Sequence, residues 1–484
     1  MATGVPTTET AKSPLIDIPE KGLRQIGRWG LLIAIGSFLF GFDTGVISGA
    51  LLFIKEDLHL NDFEQGSVVS VLLLGAIAGA LLVGGASERI GRKKTLGLVA
   101  LIFAVGIVIA GAAQSYAVML LGRVIMGLGV GGVSALVPSY LSEISPAQIR
   151  GRMLTLNQLL ITVGLLVAYL VDWAFAGSEN WRAMFAVGLI PSLALVLGSL
   201  RLPESPAWLL NRGREAEVRS LVNSVASDET ADRVIELHNR EEEQRQRTAG
   251  KDERSGWRVL SSPRLRAAMV VGLTLAALQQ FAGINTVIYY APTIMQDTGL
   301  SSSNSILYSV FIGVINLGMT IVSLRLVDRL GRRPLLIASL VGMFGSLLVL
   351  GLAFVAEWSS VVILLFILLY IVAFAVGMGP VFWVLLGEIF PSQNRAAGVS
   401  AGSTMNWTAN FAVSLAFLPL LGAIGTGQTF WIFAVVCAFG IWFVGRYVPE
   451  TKDREFPEVD AELQARFRGE APAHSAMPRA GARA

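Results

Sequence analysis

The chain is 484 residues long, 53% hydrophobic and only 15% charged, with a mean hydropathy of +0.62, whereas soluble chains carry about a quarter charged residues; disorder and an ordinary soluble enzyme are excluded. Its formal charge of +3 comes from Lys and Arg spread over short loops, so nucleic-acid binding is not implied. The apolar residues form blocks of about 20, each long enough to cross a hydrocarbon core of roughly 30 Å, which describes a polytopic membrane protein.

Residues 1–28 are polar, with no apolar core before a small-residue cleavage site, and read as a cytoplasmic tail rather than a signal peptide. Apolar stretches follow at 29–54, 66–87, 95–114, 117–141, 155–175, 182–201, 267–295, 305–326, 334–356, 360–387, 397–421 and 428–447. They predict an all-α membrane protein of twelve spans. All Lys and Arg except Lys55, Arg123 and Arg182 fall in or at the edges of the connections that follow the even-numbered spans and in the tails, so the positive-inside bias places both termini in the cytoplasm. Residues 202–266 form the one long polar interruption, helical in parts, and separate a six-helix bundle at 29–201 from another at 267–447. Residues 448–484 end in Ala, Pro and Arg and are expected to be largely disordered.

An internal repeat supports the six-plus-six division. Glu88-Arg89-Ile-Gly-Arg92-Lys recurs as Asp328-Arg329-Leu-Gly-Arg332-Arg, Glu143-Ile-x-Pro-x-x-x-Arg150 as Glu388-Ile-x-Pro-x-x-x-Arg395, and Pro203-Glu204-Ser as Pro449-Glu450-Thr, in the same order. Parallel repeats of this kind predict two bundles related by an axis along the membrane normal, with a substrate site between them near the midplane. The repeated acids and arginines lie where spans 2 and 3, 4 and 5, 8 and 9, and 10 and 11 meet the cytoplasm. Glu143 with Arg92 and Arg150, and Glu388 with Arg332 and Arg395, are expected to form a latch holding an outward-open state. A plain topology signal is the alternative.

Two ionisable residues are read well inside spans, Asp43 in the first and Arg123 in the fourth. Either would cost about 2.5–3.5 kcal/mol at mid-helix, so the two are expected to pair in the bundle interior, as a static ion pair or as a proton carrier and its partner. The histidines, His59, His238 and His474, are all in polar segments, and Cys437 is the only cysteine, so neither a histidine relay nor a cysteine metal site is read. No metal or cofactor is implied; the proton is the candidate coupling ion. The seventh span carries Gln279, Gln280, Asn285, Tyr289 and Tyr290, and Gln158, Asn316, Asn406 and Asn410 add amides on other spans. Amides both donate and accept, the chemistry that grips vicinal hydroxyls, and Trp383 and Trp407 offer faces for the C–H side of a sugar ring. Interhelical bonding is the alternative for any one amide. Gly127-x-Gly129-x-x-Gly132 matches a dinucleotide fingerprint but lies inside a span with no preceding strand, and close helix packing explains it.

Together with Phe40-Gly-Phe-Asp43-Thr-Gly, Gly122-Arg123-x-x-x-Gly, Pro138-x-Tyr-x-x-Glu143, Pro203-Glu-Ser-Pro206, Gly379-Pro-x-x-Trp383 and Pro449-Glu-Thr-Lys452, these motifs give the chain a clear resemblance to the sugar porter family of the major facilitator superfamily. The resemblance implies that Gln158, Gln279, Gln280, Asn285, Asn316 and Trp383 bind sugar, with Asn406, Trp407 and Phe40 grouped beside them. It also implies that Tyr289 and Tyr290 help close the outer gate, and that Asp43 with Arg123 couples a proton to uptake. Glu88, Arg89, Glu204, Asp328, Arg329 and Glu450 join the latch. Asp453 stands where the family commonly has glycine. The expected function is import of a monosaccharide or polyol by proton symport across the plasma membrane (inner membrane), by a monomer. A facilitative uniporter, a non-transporting sugar sensor and a multidrug antiporter are the alternatives, the last disfavoured by the amide-rich site.

Overall fold

Inside a bilayer every backbone N–H and C=O must find a partner within the protein, and a helix satisfies them locally. The computed structural model, which describes residues 18–248, 265–391, 394–454 and 456–469, accordingly has twelve helices long and apolar enough to cross a membrane. They run Glu20–Asp57, Asp62–Ile90, Arg92–Gly111, Tyr116–Ile144, Gln148–Ala176, Trp181–Ser199, Arg266–Gln296, Ser302–Val327, Arg332–Val355, Ser360–Glu388, Ala397–Ile424 and Thr426–Tyr447. Among the described residues there is no strand.

Packing repeats with the sequence. Span 1 packs on 5, 2 on 4 and 3 on 6 in the first half; 7 on 11, 8 on 10 and 9 on 12 in the second. The halves meet where span 2 packs on 11 and 5 on 8. Gly127, Gly129 and Gly132 are packing residues: a Cβ on Gly127 would meet the Leu72 carbonyl at 2.1 Å, one on Gly129 the Phe103 Cβ at 2.6 Å, and one on Gly132 the Val99 side chain at 2.7 Å.

Three spans are broken. The sixth is divided at Gly188. The seventh is split at Gly283, whose φ of +91° is left-handed, and the tenth at Gly377. Loose ends at the breaks are taken up by neighbours: Ser339 Oγ accepts from the Met378 N–H at 2.9 Å, and Tyr370 donates to the Ala282 carbonyl at 2.8 Å.

The described parts of both tails and of the polar connection lie at one face, here the tail face. The first helix begins at Glu20, ahead of its apolar stretch, because Ile18 and Ile26 bury against Leu209, Val218, Val222 and Val234 of the connection. The helices Pro206–Leu210, Glu215–Asn223 and Asp228–Thr248 thus share a small core with the first bundle.

Two expectations are corrected. The C-terminal tail is not unstructured throughout: Phe456–Arg468 is a helix that buries Val459 and Leu463, sets Phe467 against Tyr447 at 4.9 Å and is tied by Arg446 to the Arg466 carbonyl. Val459, Leu463 and Phe467 recur every four residues, an apolar stripe that composition hides. Besides Asp43 and Arg123, another acidic residue, Asp172, is fully buried inside the fifth span.

Candidate transport site

The first span brings Asp43 inward and the fourth brings Arg123 to meet it, Nη1 to Oδ1 at 2.9 Å, with the two side chains 2% and 1% exposed. Arg123 Nε also donates to the Val68 carbonyl of the second span at 3.0 Å. The pair therefore ties three spans of the first bundle. Separating it inside the protein would leave an uncompensated buried charge, which costs several kcal/mol unless the acid is first neutralised.

The second bundle holds a set of mutually bonded amides. Gln279 Nε2 donates to the Met378 and Gly379 carbonyls beside the break in the tenth span, at 2.9 and 3.3 Å. Gln279 Oε1 accepts from Asn406 Nδ2 at 2.8 Å and from Gln280 Nε2 at 3.3 Å. Gln280 Nε2 donates to Asn406 Oδ1 at 3.1 Å, and Asn285 Nδ2 donates to Gln280 Oε1 at 2.8 Å. Four amides from two spans thus satisfy one another, and a hydroxylated ligand can exchange with those bonds at little net cost in hydrogen bonding. Gln158 is exposed, Asn316 half-buried, and Trp383 is 43% exposed with its ring edge-on to Phe382 at 4.8 Å. Among the described residues, neither Gln158 nor Asn316 is bonded into the amide set. Phe40 and Trp407 touch across the two bundles, centroids 5.6 Å apart.

Tyr289 and Tyr290 are buried against the eleventh span. Asn410 Nδ2 donates to the Tyr289 hydroxyl at 3.3 Å, while Tyr290 donates to the Ser414 carbonyl at 2.9 Å and stacks on Phe417 at 5.2 Å.

Contacts that join the bundles beyond this level lie toward the face opposite the tails. Tyr169 donates to the Ile288 carbonyl at 2.9 Å, Lys55 Nζ to Gln296 Oε1 at 3.1 Å, and a Cβ on Gly66 would meet the Leu415 carbonyl at 2.8 Å. That face is closed here. Tyr169 is a residue the sequence reading missed, since one tyrosine in an apolar span gives no signal of what its hydroxyl reaches.

At the tail face, the repeated motifs build two matching clusters. Arg92 pairs with Glu143 at 2.9 Å and Arg332 with Glu388 at 2.9 Å. Glu204 accepts from the Arg92 and Lys93 N–H groups, and Glu450 from those of Arg332 and Arg333, so each carboxylate sits on the positive N-terminus of a span. Gly91 and Gly331, at φ +94° and +91°, let these acids approach: a Cβ there would meet the carboxylate oxygen at 2.1 and 2.8 Å. Arg150 donates to the Ser145 carbonyl at 3.2 Å, and Arg395 is exposed beside Glu388. Glu88, Arg89 and Arg329 have exposed side chains and take part through their carbonyls, which accept from Trp208, Arg212 and Lys452. The side chain of Asp328 lies outside the described residues. Both pairs are formed while the opposite face is closed, and each joins helices of one bundle. Asp453, at the family's glycine position, has a left-handed φ of +55°.

A family model described as sugar (and other) transporter matches residues 29–463. The glucose transporter GlcP of Staphylococcus epidermidis is 40% identical over 440 residues, covering 90% of this chain and 97% of that one. The galactose–proton symporter of Escherichia coli is 36% identical over 441 residues, covering 89% and 93%. Among solved structures, the partially occluded inward-open conformation of the xylose transporter XylE from E. coli superposes with a TM-score of 0.78 at 30% identity, over 89% of this chain and 99% of that one. Twelve spans, a duplicated pair of helix-end ion clusters and a family match over most of its length make this chain a multi-pass membrane transporter, not an enzyme, and a member of the sugar porter family of the major facilitator superfamily.

Proposed function

We propose that the protein imports a monosaccharide or polyol together with a proton, by alternating access, as a monomer in the plasma membrane with its tail face in the cytoplasm. The observation that carries this reading is the buried Asp43–Arg123 ion pair of the first bundle together with the set of mutually bonded amides of the second. Relatives that carry glucose or galactose, one named for its proton coupling, support the substrate class.

The proton arrives at Asp43 from the outer face. Neutralising Asp43 removes the attraction that holds Arg123, which keeps its bond to the Val68 carbonyl, and frees the first span to move relative to the fourth. Sugar hydroxyls replace the bonds among Gln279, Gln280, Asn285 and Asn406, and the seventh span, hinged at Gly283, closes Tyr289 and Tyr290 over the site. The closed outer face with Tyr169 on Ile288 is the state in which cargo leaves toward the cytoplasm. The driving force is ~2.3 kcal/mol per charge per 100 mV of membrane potential, plus any pH gradient.

The test is purified protein in liposomes, with internal pH recorded as monosaccharides and inositols are added outside without a preset gradient. Acidification with one sugar establishes coupling and substrate class together. Labelled uptake without acidification would make the protein a uniporter and reduce Asp43–Arg123 to a structural pair.

A further inference from the structure

The first span presents Gly41, Gly45 and Gly49 to the fifth, one glycine per turn. A Cβ on Gly41 would meet the Ile161 carbonyl at 1.8 Å, one on Gly45 the Ala168 Cβ at 2.6 Å, and one on Gly49 the Asp172 carboxyl at 2.6 Å. The two helices are in backbone contact, and Asp172 is held in that seam. Its Oδ2 accepts from the Gly49 N–H at 3.0 Å, while Oδ1 has no partner; the side chain is 0% exposed. No cation is bonded to it among the described residues. The titratable group that faces it is Tyr169, on its own helix, with Tyr289 of the seventh span beyond. On the first span the charged pair at Asp43 is about 9 Å along the helix in one direction, and Asp57, paired with Arg182, about 12 Å in the other, at ~1.5 Å per residue.

A carboxylate in this seam would be a buried charge with no counter-ion and one bare oxygen, the arrangement proteins avoid by neutralising the group. One turn from Asp172, Tyr169 makes the bond to Ile288 that joins the bundles, so the seam that holds Asp172 ends beside a contact that must break when that face opens. We propose that Asp172 is a second proton-binding site, separate from Asp43, which must be protonated for the face opposite the tails to close. On closure the carboxylate takes a proton from water at that face and becomes a neutral acid. On reopening it returns the proton to the same side, so this proton gates the transporter without being carried across. The proposal deepens the alternating-access reading and requires no particular sugar.

The test has two readouts on purified full-length protein without sugar. Infrared difference spectra between wild type and Asp172→Asn, in H2O and D2O, should contain the carbonyl band of a protonated, exchangeable carboxylic acid at neutral pH, lost in the variant. Should Asp172→Asn fail to fold, Asp172→Glu must shift the frequency of that band. Spin labels at the exposed positions Glu56 and Asn304, in a Cys437→Ser background, should show the opposite face opening as pH rises. Asp172→Asn should flatten that profile; Asp297→Asn, which removes another acid at this face, should leave most of it. A spectrum with no such band, a band unmoved by Asp172→Glu, or an Asp172→Asn profile matching wild type would each overturn the proposal. Loss of sugar uptake alone would bear on the symport reading and leave both readouts intact.

Discussion

Asp43 and Arg123 set the strictest constraint on any mechanism, because each is nearly inaccessible and each is the other's counter-ion. Asp43→Asn keeps the shape and removes the titration, so uphill accumulation should be abolished while sugar counterflow across liposome membranes persists; accumulation at the wild-type level would exclude Asp43 as carrier. Gln279 occupies the centre of the amide set, bonded to two backbone carbonyls and two side chains. Gln279→Ala removes a donor and an acceptor that would pass to the sugar, roughly 1–3 kcal/mol, so sugar affinity measured by calorimetry should fall by roughly five- to 150-fold. Of this chemistry, the ion pair was legible in the sequence, because two opposite charges in apolar segments have few ways to survive. Asp172 was equally visible as a letter. Its meaning was not, since the sequence does not show that the first span turns a glycine seam toward it.

At the scale of helices, the breaks in the seventh and tenth spans decide where the site is. Gly283 combines a left-handed backbone with the ring of Phe433, which a Cβ would meet at 2.4 Å, whereas Gly299 has a similar φ of +87° and open space around it. Backbone strain costs about 1–3 kcal/mol in either alanine variant, and Gly283→Ala adds the collision. Its melting temperature in detergent should therefore drop further than that of Gly299→Ala; equal drops would mean that the Phe433 contact yields freely. The tail-face clusters work through helix ends. Glu204 and Glu450 each cap two N–H groups and complement a helix dipole, contributions of about 0.3–2 kcal/mol each. Glu204→Gln and Glu450→Gln should each destabilise modestly, and the double variant by the sum, since the two sites share no partner. The sequence repeat announced the Arg–Glu pairs. That Glu88, Arg89 and Arg329 would act through carbonyls was not legible, because a motif records side chains and says nothing of which atoms meet.

For the molecule as a whole, alternation is a balance between two closed faces, and acids placed at one face make that balance depend on pH. Asp297 lies just past the seventh span, where its side chain is exposed but partial desolvation holds its carboxyl above the ordinary value while the Thr426 hydroxyl and the Lys55 charge pull it back. A carboxyl raised in the closed state binds its proton more tightly there. Its contribution to closure is therefore fully present below the ordinary carboxylate range and is lost as pH rises through the raised value. Asp297→Asn should keep part of the closure at higher pH, read as a shortened distance between labels at Glu56 and Asn304 relative to wild type; an unchanged distance would mean that Asp297 stays solvated in both states.

The sequence by itself determined the twelve spans, their division into two repeated sets of six and the identity of the central ion pair, because a hydrocarbon environment punishes every polar residue that lacks a reason to be there. Only the tertiary structure decided the rest. The four amides bond to one another across two spans, the tail helix docks through Val459 and Leu463, and the tail-face pairs stay formed while the opposite face is closed. These depend on the rotation of each helix about its own axis and on close backbone approach at glycines, quantities that arise only when helices distant in sequence are packed together.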